Sequence, residues 1–253
     1  MFEKEDIDGV AVLRMAHGKA NAMDLEFCAG LIEVLNELEG REGSAVVLTG
    51  SGKIFSAGVD LFRVLEEDNA YLDAFYPALA NTFARVFAFK GPIVAAINGH
   101  AIAGGCVLAC CCDYRILAGG DGTVGVPELR VGVPFPTVAM EILRFAVGNA
   151  HLQALVLSGD TVSADEARRL GMVDELVGAG ALLERAVARA RSLAAVPPRV
   201  YGLSKRQLRE PALTRIDAQS RVDDEAVRAA WMDPKTLDHM REYLEKTVGI
   251  KNR

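Results

Sequence analysis

The sequence lacks the features that would place it quickly. No apolar run approaches the ~20 residues of a membrane span, and no partner membrane is expected. No cluster of lysine and arginine interrupts a chain whose net charge is −6, which argues against a nucleic-acid footprint. Cysteine is scarce and badly spaced for pairing. Of five, Cys106, Cys110, Cys111 and Cys112 crowd into one segment and Cys28 stands alone, so neither a disulfide framework nor a zinc spacing results. They read as small core residues of a buried helix. The four histidines, His17, His100, His151 and His239, form no pair at metal-ligand spacing, and no His-Glu-x-x-His occurs. There is no Gly-x-Ser-x-Gly elbow. Gly50-Ser51-Gly52-Lys53 is followed by Ile54 and is wrongly spaced for a phosphate-binding P-loop. The acidic start, Met1 to Asp6, has no apolar segment of the signal-peptide kind. With the cysteine usage, this leads us to expect a reducing, cytoplasmic setting.

What is present describes a folded, core-forming chain: 253 residues, 51% hydrophobic and 25% charged, outside the range of disordered composition. Strand patterns at Val10–Met15, Ala45–Thr49, Ile93–Ile97, Tyr114–Leu117, Thr123–Val126 and Met172–Val177 alternate with helical periodicity. Asp24 is placed to cap a helix whose apolar residues recur at Leu25, Cys28, Leu31, Ile32, Leu35 and Leu38. Tyr71–Phe89 reads as a helix with Pro77 as an interruption, and Ser163 to Glu166 as a capping box. From Leu182 onward only helices are expected, punctuated by Pro197-Pro198 and Pro211, with Asp233-Pro234 opening the last. The order implies an α/β fold with a parallel sheet, followed by a helical C-terminal part. We divide it into a core at 1–195 and a helical region at 196–253.

Two loops stand out. Phe55-Ser56-Ala57-Gly58-Val59-Asp60 and Asn98-Gly99-His100-Ala101-Ile102-Ala103-Gly104-Gly105 each follow a buried strand and carry glycine. Each alone is an ordinary tight turn. In α/β sheets, ligands gather at such loops. If Gly104-Gly105 opens a helix, its first N–H groups lack intrahelical acceptors. Two loops that offer one N–H each make an oxyanion hole.

These residues resemble the crotonase superfamily, the enoyl-CoA hydratase/isomerase family, over nearly the whole chain. The resemblance is carried by Ala20-Asn21-Ala22-Met23, Ile54 to Leu61, Ala96-Ile97-Asn98-Gly99, Ala103-Gly104-Gly105-Cys106 with Cys112-Asp113-Tyr114-Arg115, Val126-Pro127-Glu128-Leu129, and Ser163 to Ala167 leading into Gly171-Met172-Val173-Asp174. It implies a crotonase fold of repeated ββα units with a helical C-terminal trimerisation region, in homotrimers or homohexamers. It also implies an acyl-CoA thioester as substrate and no further cofactor. The oxyanion donors would be the N–H groups of Val59 and Gly104. The 3'-phospho-ADP part of CoA would lie near Lys19, Ala20, Ala22 and Ala57, with Lys53 and Arg63, and Lys246 of a neighbouring helix, as candidate phosphate partners. Solvated lysine without a role is the competing reading of those cations.

The departures bear on the reaction. Hydratases of this family place water with two glutamates; here the first position is Val107 and the second is Glu128. The hydratase Pro-Gly-x-Gly-Gly segment is replaced by Gly132-Val133-Pro134-Phe135-Pro136-Thr137. One carboxylate in an apolar pocket suits a proton shuttle and resembles the Δ3,Δ2-enoyl-CoA isomerases, although Pro127 stands where those more often carry asparagine. An enoyl-CoA hydratase, another acyl-CoA hydrolase or lyase, and a non-catalytic acyl-CoA-binding protein are the alternatives. Asp60 and Asp113 read as loop-fixing residues.

Overall fold

A computed structural model describes residues 1–39, 41 and 43–249. The chain opens with a hairpin, β1 (Phe2–Ile7) against β2 (Val10–Met15), in antiparallel register from Phe2↔Met15 to Ile7↔Val10. Its two-residue turn is Asp8-Gly9, both at positive φ (54° and 80°), the conformation that tight hairpins need and Asp-Gly supplies. The alternation patterns of the sequence pass over β1 because this edge strand is mostly exposed and charged. The Asp-Gly pair is the signal that marks it.

Helix α1 (Leu25–Glu39) follows, capped as expected: Phe27 N–H donates to Asp24 Oδ1 at 2.7 Å. Strand β3 (Ala45–Thr49) is buried throughout. The glycine-rich loop after it contains a short strand, β4 (Ile54–Ser56). Helix α2 (Leu61–Glu66) is capped by Asp60, and α3 (Asn69–Phe87) by Asp68. Pro77 lies inside α3 without ending it. Then come β5 (Ile93–Ile97), β6 (His100–Ile102), α4 (Gly104–Cys111), β7 (Tyr114–Ala118), β8 (Val124–Gly125), α5 (Glu128–Val131) and α6 (Thr137–Ser158). Helix α6 is bent at Gly148, whose φ of 70° is not helical. Strand β9 (Thr161–Val162), α7 (Ala164–Arg169, capped by Ser163) and β10 (Glu175–Val177) close the core.

Five parallel strands and the β1 edge make one sheet in the order β1-β2-β3-β5-β7-β10, and β4-β6-β8-β9 make a second. The architecture is thus a repeat of ββα units: β3, β5 and β7 of the large sheet each run on into β4, β6 and β8 of the small one before the next helix. The large sheet is covered on both faces, as buried parallel strands require. Val46, Leu48, Ala95 and Ile97 face α1, α3 and α4. Val47, Val94, Ala96 and Ile116 face Leu182, Ala186, Val187 and Ala190 of α8 (Leu182–Ala194). All five cysteines are buried and unpaired.

The helical region is described to Gly249; residues 250–253 lie outside the described residues. Helix α9 (Pro198–Trp231) runs through Pro211 where a break was expected, and α10 (Pro234–Val248) starts at the Asp233 cap. A buried ionic cluster fastens α9 to the core. Asp113 accepts from Ile93 N–H at 2.8 Å, from Lys205 at 2.8 Å and from Arg209 at 2.8 Å. Lys205 also donates to Gly91 O at 2.9 Å, and Arg209 to Phe87 O. Burial outweighs the carboxylate partner at Lys205 and lowers its pKa to about 8, with Arg209 adding repulsion. Removing the carboxylate strands two largely buried cations, and breaking such a pair typically costs about 3–5 kcal/mol. Asp113→Ala should therefore lose stability on that scale in urea unfolding, with the loss concentrated in the docking of α9.

Candidate active site

The site is built by backbone before side chains. At the end of β4, Gly58 turns at φ 89°; a Cβ there would stand 2.8 Å from Ala103 Cβ and 2.9 Å from Gly104 N. At the end of β6, a Cβ on Gly105 would lie 2.2 Å from Ser56 O. The two glycine loops therefore touch main chain to main chain, which no larger residue permits. Ala103 holds φ 52° and ψ −128°, a strained conformation for a residue with a side chain. Its N–H donates to Gly125 O at 2.8 Å, and the turn it makes starts α4 with Gly104 at the first position.

Hydrogen bonds on either side of Val59 are taken: Met23 N–H donates to Gly58 O at 2.7 Å and Asp60 N–H to Met23 O at 3.0 Å. Among the described residues, the N–H groups of Val59 and Gly104 have no acceptor. The Ala20–Met23 segment is tied to the same loop. Ala57 N–H donates to Ala20 O at 3.0 Å, Ser56 Oγ to Asn21 O at 2.8 Å, and the Asn21 amide to Phe55 O at 3.1 Å.

Val59 and Gly104 open on a cavity of about 90 Å³ whose walls include Leu61, Leu79, Phe83, Val107, Val133 and Ala139. Glu128, first residue of α5, lines it and is the only carboxylate among the described residues that does. It is 8% exposed, and its Oε2 is buried without a hydrogen-bond partner. Burial pushes its pKa up to about 8, because a charged carboxylate loses hydration there and gains no ion pair in return. Such a group can take and return a proton near neutral pH.

The other candidates are distributed around this centre. Ala57 lines the cavity, and Ala20 and Ala22 belong to the turn segment before α1 that is tied to the same loop. Lys19 and Lys53 are exposed and form no ion pair among the described residues. Arg63 is held by Glu26 at 2.8 Å, Asp24 at 3.4 Å and Glu67 at 3.5 Å. His100 bonds Thr123 rather than facing the cavity. Asp60 caps α2 and Asp113 anchors α9, both loop-fixing roles. Two lining residues come from the helical region, outside the motifs: Trp231 ends α9 and Tyr243 sits on α10. Trp231 Nε1–H donates to Pro134 O at 3.0 Å across 97 positions of sequence. No local pattern signals such a contact. No group of metal-ligating side chains occurs among the described residues.

Known proteins resemble this chain in sequence and fold. The enoyl-CoA hydratase/isomerase family profile matches residues 5–248, and the chain belongs to that family of the crotonase superfamily. A short-chain-enoyl-CoA hydratase of Clostridium acetobutylicum is 31% identical, the alignment covering 100% of this chain and 98% of that one. The mitochondrial enoyl-CoA delta isomerase 1 of Homo sapiens is 28% identical over 94% of this chain and 80% of that one. The crystal structure of human mitochondrial delta3-delta2-enoyl-CoA isomerase superposes with a TM-score of 0.93 at 26% identity, over 99% of each chain.

The raised pKa of Glu128 also sets a stability trend. Below the ordinary glutamate pKa of 4.5 the side chain is neutral in both folded and unfolded chains and costs nothing extra. Between that value and about 8 the folded chain holds a proton that the unfolded chain has released, so stability falls as pH rises, by about 1.4 kcal/mol per unit at most. Glu128→Gln, neutral throughout, should melt within a few degrees of the parent at pH 4 and clearly above it at pH 9 in parallel thermal scans.

Proposed function

We propose that this chain is a Δ3,Δ2-enoyl-CoA isomerase of the fatty-acid β-oxidation type. The observation that carries the reading is the solitary carboxylate: among the described residues Glu128 alone brings a carboxylate to a mostly apolar cavity, and Val107 lines the same cavity; by the family resemblance, Val107 stands where a hydratase carries its other glutamate. Adding water across a double bond needs a group to position and deprotonate the water and a group to protonate the carbon. Moving a double bond needs one base that keeps its proton.

In this mechanism Glu128 removes a proton from C2 of a 3-enoyl-CoA. The electron pair of that C–H bond moves into the thioester, and negative charge gathers on its oxygen. The Val59 and Gly104 N–H groups stabilise that oxygen; in such holes a single donor is worth roughly 10²–10³ in rate. The protonated Glu128 then delivers the same proton to C4 and the double bond settles between C2 and C3. The apolar walls support this cycle by keeping out water that would exchange the proton. In the same proposal the CoA nucleotide lies along Lys19, Ala20, Ala22 and Ala57, with Lys53 meeting a phosphate and Arg63, through Glu26 and Asp24, bracing the loop. Trimer formation through the helical region belongs to it too. Val200, Leu203, Leu208 and Val222, apolar and exposed on α9, support that part.

The 31% identity to a short-chain-enoyl-CoA hydratase favours hydration as the second reading, and one assay separates the two. The purified chain should convert 3-hexenoyl-CoA to the 2-enoyl isomer and leave crotonyl-CoA unhydrated. Its kcat/KM should rise with pH through about 8 as Glu128 ionises, and Glu128→Gln should lose roughly 10²–10⁴ of the rate. Hydration of crotonyl-CoA at a comparable rate would replace the isomerase reading with the hydratase one.

A further inference from the structure

Beyond the cavity beside Glu128 lies a second, smaller pocket of about 10 Å³, lined by Leu72, Phe75, Tyr76, Leu79, Arg228 and Trp231. Leu79 and Trp231 line both spaces. They are a partition, one side chain from α3 and the other from the last residue of α9. The indole is held in place: it is 5% exposed, and its N–H donates to Pro134 O at 3.0 Å. The second pocket is apolar over most of its wall, and the Tyr76 hydroxyl is buried without a partner.

We propose that Trp231, backed by Leu79, is the end wall of the acyl site and limits this enzyme to short acyl chains. The inference rests on reading the Glu128 cavity as the acyl site of an enoyl-CoA enzyme. An apolar cavity of ~150 Å³ takes a benzene ring, so the space before the wall, about 90 Å³, suits a chain of about four carbons beyond the thioester. A longer chain meets the indole face. Cores and pocket walls as closely packed as this one yield only at a cost in strain, so the extra methylenes gain nothing. Without the indole the two spaces join, and a longer chain can run on past Leu72 and Phe75. The indole offers no acid or base to the proton chemistry, so Trp231 acts on chain length.

Binding of saturated acyl-CoAs tests the wall without turnover. An absent isomerase activity therefore counts against the proposed reaction, while affinities alone decide the wall. Trp231 is the only tryptophan of the chain, so its emission reports contact directly. Hexanoyl-CoA should change that emission and acetyl-CoA should not. By calorimetry the parent should bind decanoyl-CoA no better than hexanoyl-CoA. A buried methylene is worth about fourfold in affinity where it finds room. Trp231→Ala should therefore raise the decanoyl-to-hexanoyl affinity ratio at least tenfold. Leu79→Ala opens the partition from the other side with the tryptophan in place, and should raise the ratio in the same direction even where the tryptophan variant folds poorly. Trp231→Phe should leave the ratio near that of the parent. An unchanged ratio in folded Trp231→Ala and Leu79→Ala overturns the proposal. So does a parent protein whose affinity climbs about fourfold per methylene from hexanoyl- to decanoyl-CoA.

Discussion

The main-chain contact between the β4–α2 loop and the start of α4 is the constraint on which the site depends. Gly58 and Gly105 stand where any Cβ would strike the opposite loop, 2.8 Å from Ala103 Cβ and 2.2 Å from Ser56 O. That proximity brings two N–H donors from distant parts of the chain to one cavity. It also explains the backbone of Ala103, which is bent into a costly region and fixed there by its bond to Gly125 O. Strain of this kind persists only where the surroundings over-determine it. Here the small sheet does so, since β4, β6 and β8 lie side by side.

Around that contact the fold assembles a mostly apolar cavity with one carboxylate among the described residues. Burial raises the Glu128 pKa because no cation compensates it. The contrast with Asp113 is instructive. Both are buried carboxylates, but Asp113 meets Lys205, Arg209 and the Ile93 N–H and serves as a structural anchor, whereas Glu128 keeps an unpaired oxygen. The same residue chemistry gives a structural anchor or a carboxylate of raised pKa by whether partners are supplied.

The C-terminal helices belong to both functions. Lys205 and Arg209 moor α9 to the core, and the far end of the same helix delivers Trp231 to the cavity, while α10 delivers Tyr243. His239 of α10 bonds Arg130 O, and a Cβ on Gly132 would press to within 2.6 Å of its ring. The cover of the cavity is thus locked against α5, the element that carries Glu128.

Much of this was legible from residue order. Periodicity marks α1 and the buried strands, Asp24, Ser163 and Asp233 mark helix starts, and the ordered motifs at Gly58, Gly104 and Glu128 identify the fold and family. These signals are local, because capping, strand alternation and glycine loops act within a few residues. The missed elements failed for equally local reasons: β1 is an exposed polar edge, β4 and β6 are three residues each, and Pro211 is carried by a helix whose stability comes from packing rather than from its own sequence. What only the tertiary structure decided is which side chains meet. That Trp231 and Leu79 line one cavity, that Asp113 captures two cations and that a Glu128 oxygen goes unpaired all depend on residues distant in sequence. Burial and partner supply, which set the energy of each, come into being only when the chain folds.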